Sequence, residues 1–119
     1  MDREARSPDV VHLGAEYGSS QIDLLRQLRM HLEQLANDID PPVLVLDFRK
    51  TDYFGAAFIG VVLHCYARIK RRDGQLALCR LQSHLIEEIE ATNHHRLWPI
   101  YATRDQGSEA LTAKNKLVG

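Results

Sequence analysis

The residues best equipped for chemistry cluster in the stretch Arg49-Lys50-Thr51-Asp52-Tyr53-Phe54-Gly55-Ala56-Ala57. Gly55-Ala56-Ala57 opens an apolar pattern of helical period. Small residues there leave the first backbone N–H groups of a helix unobstructed, which suits an anion or a docking partner. The plainer alternative is that they only allow close packing, since the fuller glycine-rich phosphate fingerprints are absent. Asp47, closing the apolar run before this loop, and Asp52 within it could form a carboxylate pair for acid–base work. No Ser or Cys nucleophile with a neighbouring base can be assigned from the spacing. Asp47 therefore reads better as an acceptor for loop or helix-end N–H groups, and no enzyme activity is expected.

The six histidines invite a metal reading, with His94-His95 adjacent and Cys79 and His84 upstream. Their spacing fits neither a C-x₂-C nor an H-x₃-H arrangement, so no metal or other cofactor is expected. His94 and His95 read as turn residues with one facing out, and His64 as a boundary residue beside an apolar stripe. His12 and His31 carry no specific signal. Cys65 and Cys79 each sit inside an apolar pattern, which suits a reduced, buried thiol. Lys70-Arg71-Arg72, with Arg68 one turn earlier, places cations at the negative end of a helix dipole.

The elements that position these groups follow from hydrophobic period. Val10-Val11-His12-Leu13, ending at Gly14, is a short first strand. After Gly18-Ser19-Ser20, Leu25, Leu28, Leu32, Leu35 and Ile39 recur every three or four residues, predicting a helix over 20–38 with Ser20 and Asp23 as an approximate capping box. Pro41-Pro42 ends it. Val43-Leu44-Val45-Leu46-Asp47-Phe48 is nearly all apolar, as expected of a central strand covered on both faces. Phe58, Val61, Val62, Cys65 and Ile69 form the buried stripe of a second helix, with Gly74 at its C′ position. Gln75-Leu76-Ala77-Leu78-Cys79 reads as a third strand and 82–92 as a third helix. Leu97-Trp98-Pro99-Ile100-Tyr101 reads as core plus an edge strand, where proline is tolerated, and 106–115 as a weaker last helix. The alternation predicts a single α/β domain over 9–115, flanked by tails at 1–8 and 116–119. Its sheet has about four strands, mixed but largely parallel, with crossover helices.

Composition narrows the classes. The 119 residues suffice for one domain; 45% are hydrophobic and 26% charged, the proportions of an ordinary globular chain. Fifteen basic against sixteen acidic residues give a net charge of −1, a poor match to a domain that neutralises many phosphates, so nucleic acid is not an expected partner. No apolar run reaches the roughly 18–20 residues of a membrane span, and the polar start MDREARSPD is unlike a secretory signal. A cytoplasmic location without direct membrane insertion is expected.

In order and spacing, Leu44-Val45-Leu46-Asp47-Phe48 followed by Thr51-Asp52-Tyr53-Phe54-Gly55-Ala56-Ala57-Phe58-Ile59-Gly60 resembles the central stretch of STAS domains, and more closely that of bacterial anti-sigma-factor antagonists. Gly74-Gln75-Leu76-Ala77-Leu78 is similar to the family's glycine-then-strand feature, and Glu87 to Ile100 to its acidic-apolar helix, turn and Leu-x-Pro-Ile tail. The resemblance spans about 9–115. It implies a regulatory binding module with an anti-sigma factor, possessing serine kinase activity in switchable members, as partner. It also implies docking through Asp52, Tyr53, Phe54, Gly55, Ala56, Ala57, Phe58 and Ile59, and leaves a homodimer open.

The family's Asp-Ser-Ser-Gly falls on Gly55, Ala56, Ala57 and Phe58. Ala56 thus occupies the phosphoacceptor position without a hydroxyl, and the phosphorylation off-switch is expected to be missing there. Thr51 and Ser83 are the other hydroxyls considered, with no context favouring either. Glu16-Tyr17-Gly18 stands where the family often has a longer hairpin. The alternative reading is a STAS scaffold or small-ligand sensor unit in a larger signalling or membrane-associated complex. An anion at the helix start would draw on Arg49-Lys50.

Overall fold

Two central strands, β3 (Val43–Asp47) and β5 (Gln75–Cys79), form the middle of the sheet, and their residues alternate between two cores. Leu44, Leu46, Leu76 and Leu78 face one side, against Leu25, Leu28 and Leu32 of α1 (Ile22–Asp38) and Phe58, Val62, Cys65 and Ile69 of α2 (Ala56–Arg71). Val43, Val45, Ala77 and Cys79 face the other side, against Leu111 of α4 (Arg104–Val118). Both faces are covered, which is why these strands carry no polar alternation. The computed structural model describes residues 8–18 and 20–118, with side chains as far as Leu111. The first seven residues of the tail expected over 1–8, together with Ser19 and Gly119, lie outside the described residues.

The sheet order is β1–β3–β5–β6, with β1 at Asp9–His12 and β6 at Ile100–Tyr101. Every pairing is parallel, so the expected mixed character is absent among the described strands. Register places His12 beside Asp47 and Asp47 beside Cys79, aligning the carboxyl ends of three strands. A second, two-stranded parallel ribbon joins β2 (Glu16–Tyr17) to β4 (Tyr53–Phe54). Sequence period gave no sign of it, because two-residue strands carry no alternation. α3 (Ser83–Ala91) completes the first core through Leu85 and Ile89.

Several local expectations are corrected. The residue flanking α1 is Gln21 and no side chain caps the helix, so Ser20 and Asp23 form no capping box. At the end of α2, Asp73 and not Gly74 adopts the left-handed conformation, with φ 58°. The Asp73 N–H donates to the Lys70 carbonyl at 3.1 Å and the Gly74 N–H to the Ile69 carbonyl at 2.9 Å, the two bonds of a Schellman motif. Gly74 is required for a different reason: a Cβ there would lie 2.1 Å from the Pro42 carbonyl oxygen. The last strand is only Ile100–Tyr101, because His94–Arg96 winds into a 3₁₀ turn that carries Trp98 inward, stacked on His94. α4 begins at Arg104 and runs through residues expected as a tail, to Val118.

Candidate functional site

Two surfaces lie near the carboxyl ends of the strands, where open α/β sheets gather ligands and partners. The first is the start of α2. Gly55 flanks the helix in an extended conformation without a side-chain cap. Tyr53 is 48% exposed, Ala56 and Ala57 are exposed, and Ile59 is partly buried. Phe54 and Phe58, expected among the contact residues, are each 1% exposed and sit beneath this surface. They stack with centroids 5.0 Å apart, joined by Phe48 and Tyr17 in one aromatic cluster. They support the surface from beneath, leaving Tyr53, Ala56, Ala57 and Ile59 as its outward or half-exposed residues. Beside this helix start a groove of about 370 Å³ runs to the end of α3, lined by Tyr53, Gly55, Ala56 and Ile59 on one side and Glu88, Ala91 and Thr92 on the other.

The loop that carries this surface is tied on two sides. The Asp52 N–H donates to the Ala15 carbonyl at 2.8 Å and the Gly55 N–H to the Tyr17 carbonyl at 3.0 Å. From the other flank, Gln82 Nε2 donates to the Thr51 carbonyl at 3.0 Å and to Asp52 Oδ1 at 2.9 Å, and His84 Nε2 lies 2.7 Å from the Asp52 carbonyl. Thr51 is fully buried and its hydroxyl donates to the Gly14 carbonyl at 2.7 Å. Sequence reasoning missed Gln82 and His84. They lie about thirty positions from the loop, and only the placement of α3 brings them to it.

The second surface surrounds Asp47, whose side chain is 1% exposed. The Arg80 guanidinium grips it with Nη2 to Oδ2 at 2.6 Å and Nε to Oδ1 at 3.2 Å, and the Arg49 N–H donates to Oδ1 at 3.0 Å. His12 Nδ1 stands 3.3 Å from Oδ2. Burial alone would raise this carboxyl's pKa. The hydrogen bonds from Arg80 and the Arg49 N–H, with the Arg80 charge, outweigh burial and hold it below the usual aspartate value. The expected role as acceptor for loop N–H groups is met at Arg49, but the main partner is Arg80. Asp52 has its own partner in Gln82, so the two carboxylates do not work as a pair. Arg80 takes a left-handed backbone, φ 60°, immediately after β5. Its place in the sequence, directly after an apolar strand that neighbours β3, is the signal that could have found it.

Around this pair opens a cleft of about 460 Å³ lined by His12, Leu13, Asp47, Arg49, Lys50, Arg80 and Arg104. Arg49 and Lys50 therefore line this cleft, while the groove beside the α2 start has none of the chain's cations in its lining. Among the described residues no cluster of His, Cys, Asp and Glu could hold a metal ion, and no helix is long and apolar enough to cross a membrane. Both cysteines are free and buried. Burial pushes the Cys65 thiol up to about 12 and the Cys79 thiol up to about 11. His64 bonds Glu33 at 2.8 Å across the α1–α2 contact, as suits a boundary residue.

A parallel four-stranded sheet with this helix order, and an exposed helix start after its central strand, define the class. The family model for the STAS domain matches residues 19–107, and the chain belongs to that family. It is similar to BtrV of Bordetella bronchiseptica, which bears the name of an anti-sigma factor antagonist, at 30% identity over 68 residues. That match covers 57% of this chain and 59% of BtrV, so the chain spans about three fifths of the curated relative. The fold is shared with an anti-sigma-factor antagonist STAS domain protein from Planctomyces limnophilus. The TM-score is 0.75 at 20% identity, over 89% of this chain and 96% of that one. It is also shared with a sulfate transporter family protein from Wolinella succinogenes, with TM-score 0.69 and 12% identity over 92% and 85% of the chains. At these identities the two structures speak for the fold alone.

Proposed function

We propose that this chain is a regulatory binding module that acts as an anti-sigma-factor antagonist, docking on an anti-sigma factor through the start of α2 and so releasing a sigma factor. The observation that carries the reading is the surface at Tyr53, Gly55, Ala56, Ala57 and Ile59. It is exposed or half-exposed, uncharged, backed by the packed rings of Phe54 and Phe58, and continuous with a groove toward α3. Such a patch suits a protein contact better than a phosphate. The kinship with BtrV supports the same reading. At the position that corresponds to the family's phosphoacceptor, Ala56 offers no hydroxyl. The Thr51 hydroxyl is buried and engaged with Gly14, which supports a module without the phosphorylation off-switch at the usual site.

The test is an affinity pull-down from lysate of the source cells, run in parallel with the wild-type chain and Ala57→Asp and read by mass spectrometry. A carboxylate placed in a dry contact must be desolvated without a partner. We expect an anti-sigma factor on the wild-type bait and its loss from the variant, with calorimetry on the purified pair giving at least about a tenfold weaker Kd. Equal retention on both baits would remove the α2 start from the interface. Recovery of only other STAS proteins or a membrane-associated complex would replace the antagonist role with a scaffold.

A further inference from the structure

The cleft around Asp47 shares no lining residue with the docking groove, and its chemistry is of another kind. Arg49, Lys50, Arg80 and Arg104 bring four positive charges to it against the single carboxylate of Asp47, before His12 is counted. That carboxylate is already engaged with Arg80, the Arg49 N–H and His12. The side chains of Arg49 and Lys50 make no ion pair among the described residues, and both are exposed. Arg104 has only Asp105, 3.9 Å away and itself 87% exposed. In a chain of net charge −1, this is a local excess of positive charge in a concave site, whose walls focus the field. Asp47 offsets Arg80 and Asp105 stands beside Arg104, while the side chains of Arg49 and Lys50 have no carboxylate of their own among the described residues.

We propose that this cleft binds the phosphate or diphosphate group of a small molecule, with Arg49, Lys50 and Arg104 closing on its oxygens while Arg80 and His12 form the wall behind them. Each part has a separate reason. Guanidinium groups match paired phosphate oxygens in geometry, and a lysine adds a compact charge beside them. Asp47 holds the Arg80 guanidinium in one orientation, so one cation is fixed before any ligand arrives. No aromatic ring other than His12 lines the cleft, which leaves no platform for stacking a nucleobase. The anionic group is therefore the part recognised.

The probe is inorganic pyrophosphate, titrated calorimetrically into the full chain at low ionic strength and paired with thermal melts. Expected are one-to-one binding and a rise in Tm with pyrophosphate that chloride at equal ionic strength does not give. The variant is Arg49→Ala with Lys50→Ala. Both side chains are exposed and outside the core, so its Tm without ligand should match the wild type while its affinity falls at least about tenfold. Failure to saturate, or equal affinity in the double variant, overturns the proposal. An equal Tm rise with chloride overturns it as well, by reducing the cleft to a diffuse charged surface. Ala57→Asp should bind pyrophosphate like the wild type, so the cleft and the docking surface stand or fall separately.

Discussion

Asp47→Asn removes the buried charge at the end of β3 with little change of shape. The carboxylate accepts two hydrogen bonds from Arg80 and one from the Arg49 N–H, with its side chain 1% exposed. Asparagine keeps one acceptor oxygen and turns an NH₂ toward the guanidinium or the backbone N–H, so a donor meets a donor. Stranding one partner of a fully buried pair costs about 3–5 kcal/mol, while an exposed pair is worth about 0–1 kcal/mol. Arg80 is 30% exposed on its side chain and regains part of its hydration, which places the loss at about 2 kcal/mol. For a chain of this length that corresponds to a fall of about 8 °C in Tm. Urea unfolding followed by circular dichroism reads it as a lower midpoint with unchanged slope.

The effect also carries a pH signature. The Asp47 pKa is depressed in the folded protein, so the stability it contributes is fully present above the unfolded aspartate value of about 3.9. That stability is lost as pH falls through the lower folded value. The gap between wild type and variant should be constant from pH 7 to about pH 5 and narrow as the solution is acidified toward pH 3. A loss below about 0.5 kcal/mol at pH 7 would refute the reasoning, because it would equate this pair with an exposed one. A gap that widens on acidification would refute it too.

Gly74→Ala should destabilise by more than about 1 kcal/mol, because the new Cβ would meet the Pro42 carbonyl oxygen and Ile69 Cγ2 and force the end of α2 away from β3; a urea midpoint equal to wild type would contradict this. Cys65 and Cys79, buried and with raised pKa values, should resist a thiol reagent at pH 8 in the native protein and react together on unfolding in urea; prompt native labelling of either would contradict its placement.

The parts of the fold that were legible in the sequence rest on dense local signals. Phe58, Val62, Cys65 and Ile69 all face the core as their spacing requires, and the unbroken apolar run of β3 is buried from Val43 through Asp47. The illegible parts depend on groups brought together from far apart. Asp47 and Arg80 are 33 residues apart and meet only because β3 and β5 pair in register. Gln82 and His84 reach the 51–55 loop only through the placement of α3 after β5. Phe54 and Phe58 were expected at a partner contact because the resemblance to anti-sigma-factor antagonists implies one along the 52–59 stretch. Two further rings, Tyr17 and Phe48, together with the stacking of Phe54 on Phe58, draw them inward instead. The Ser20–Asp23 pattern failed because a capping motif in sequence does not ensure that the chain enters the helix at that residue.

The two-sided tethering of the 51–55 loop bears on how fast the proposed partner could be captured. A segment already stitched to Ala15, Tyr17, Gln82 and His84 and resting on stacked rings has little conformational entropy left to surrender on association. If a partner docks there as proposed, this side of the contact would need no ordering step of its own, and association would fall in the roughly 10⁵–10⁷ M⁻¹s⁻¹ of ordinary protein pairs. The lifetime of the complex, rather than the rate of encounter, would be the quantity that substitutions around Ala56 adjust.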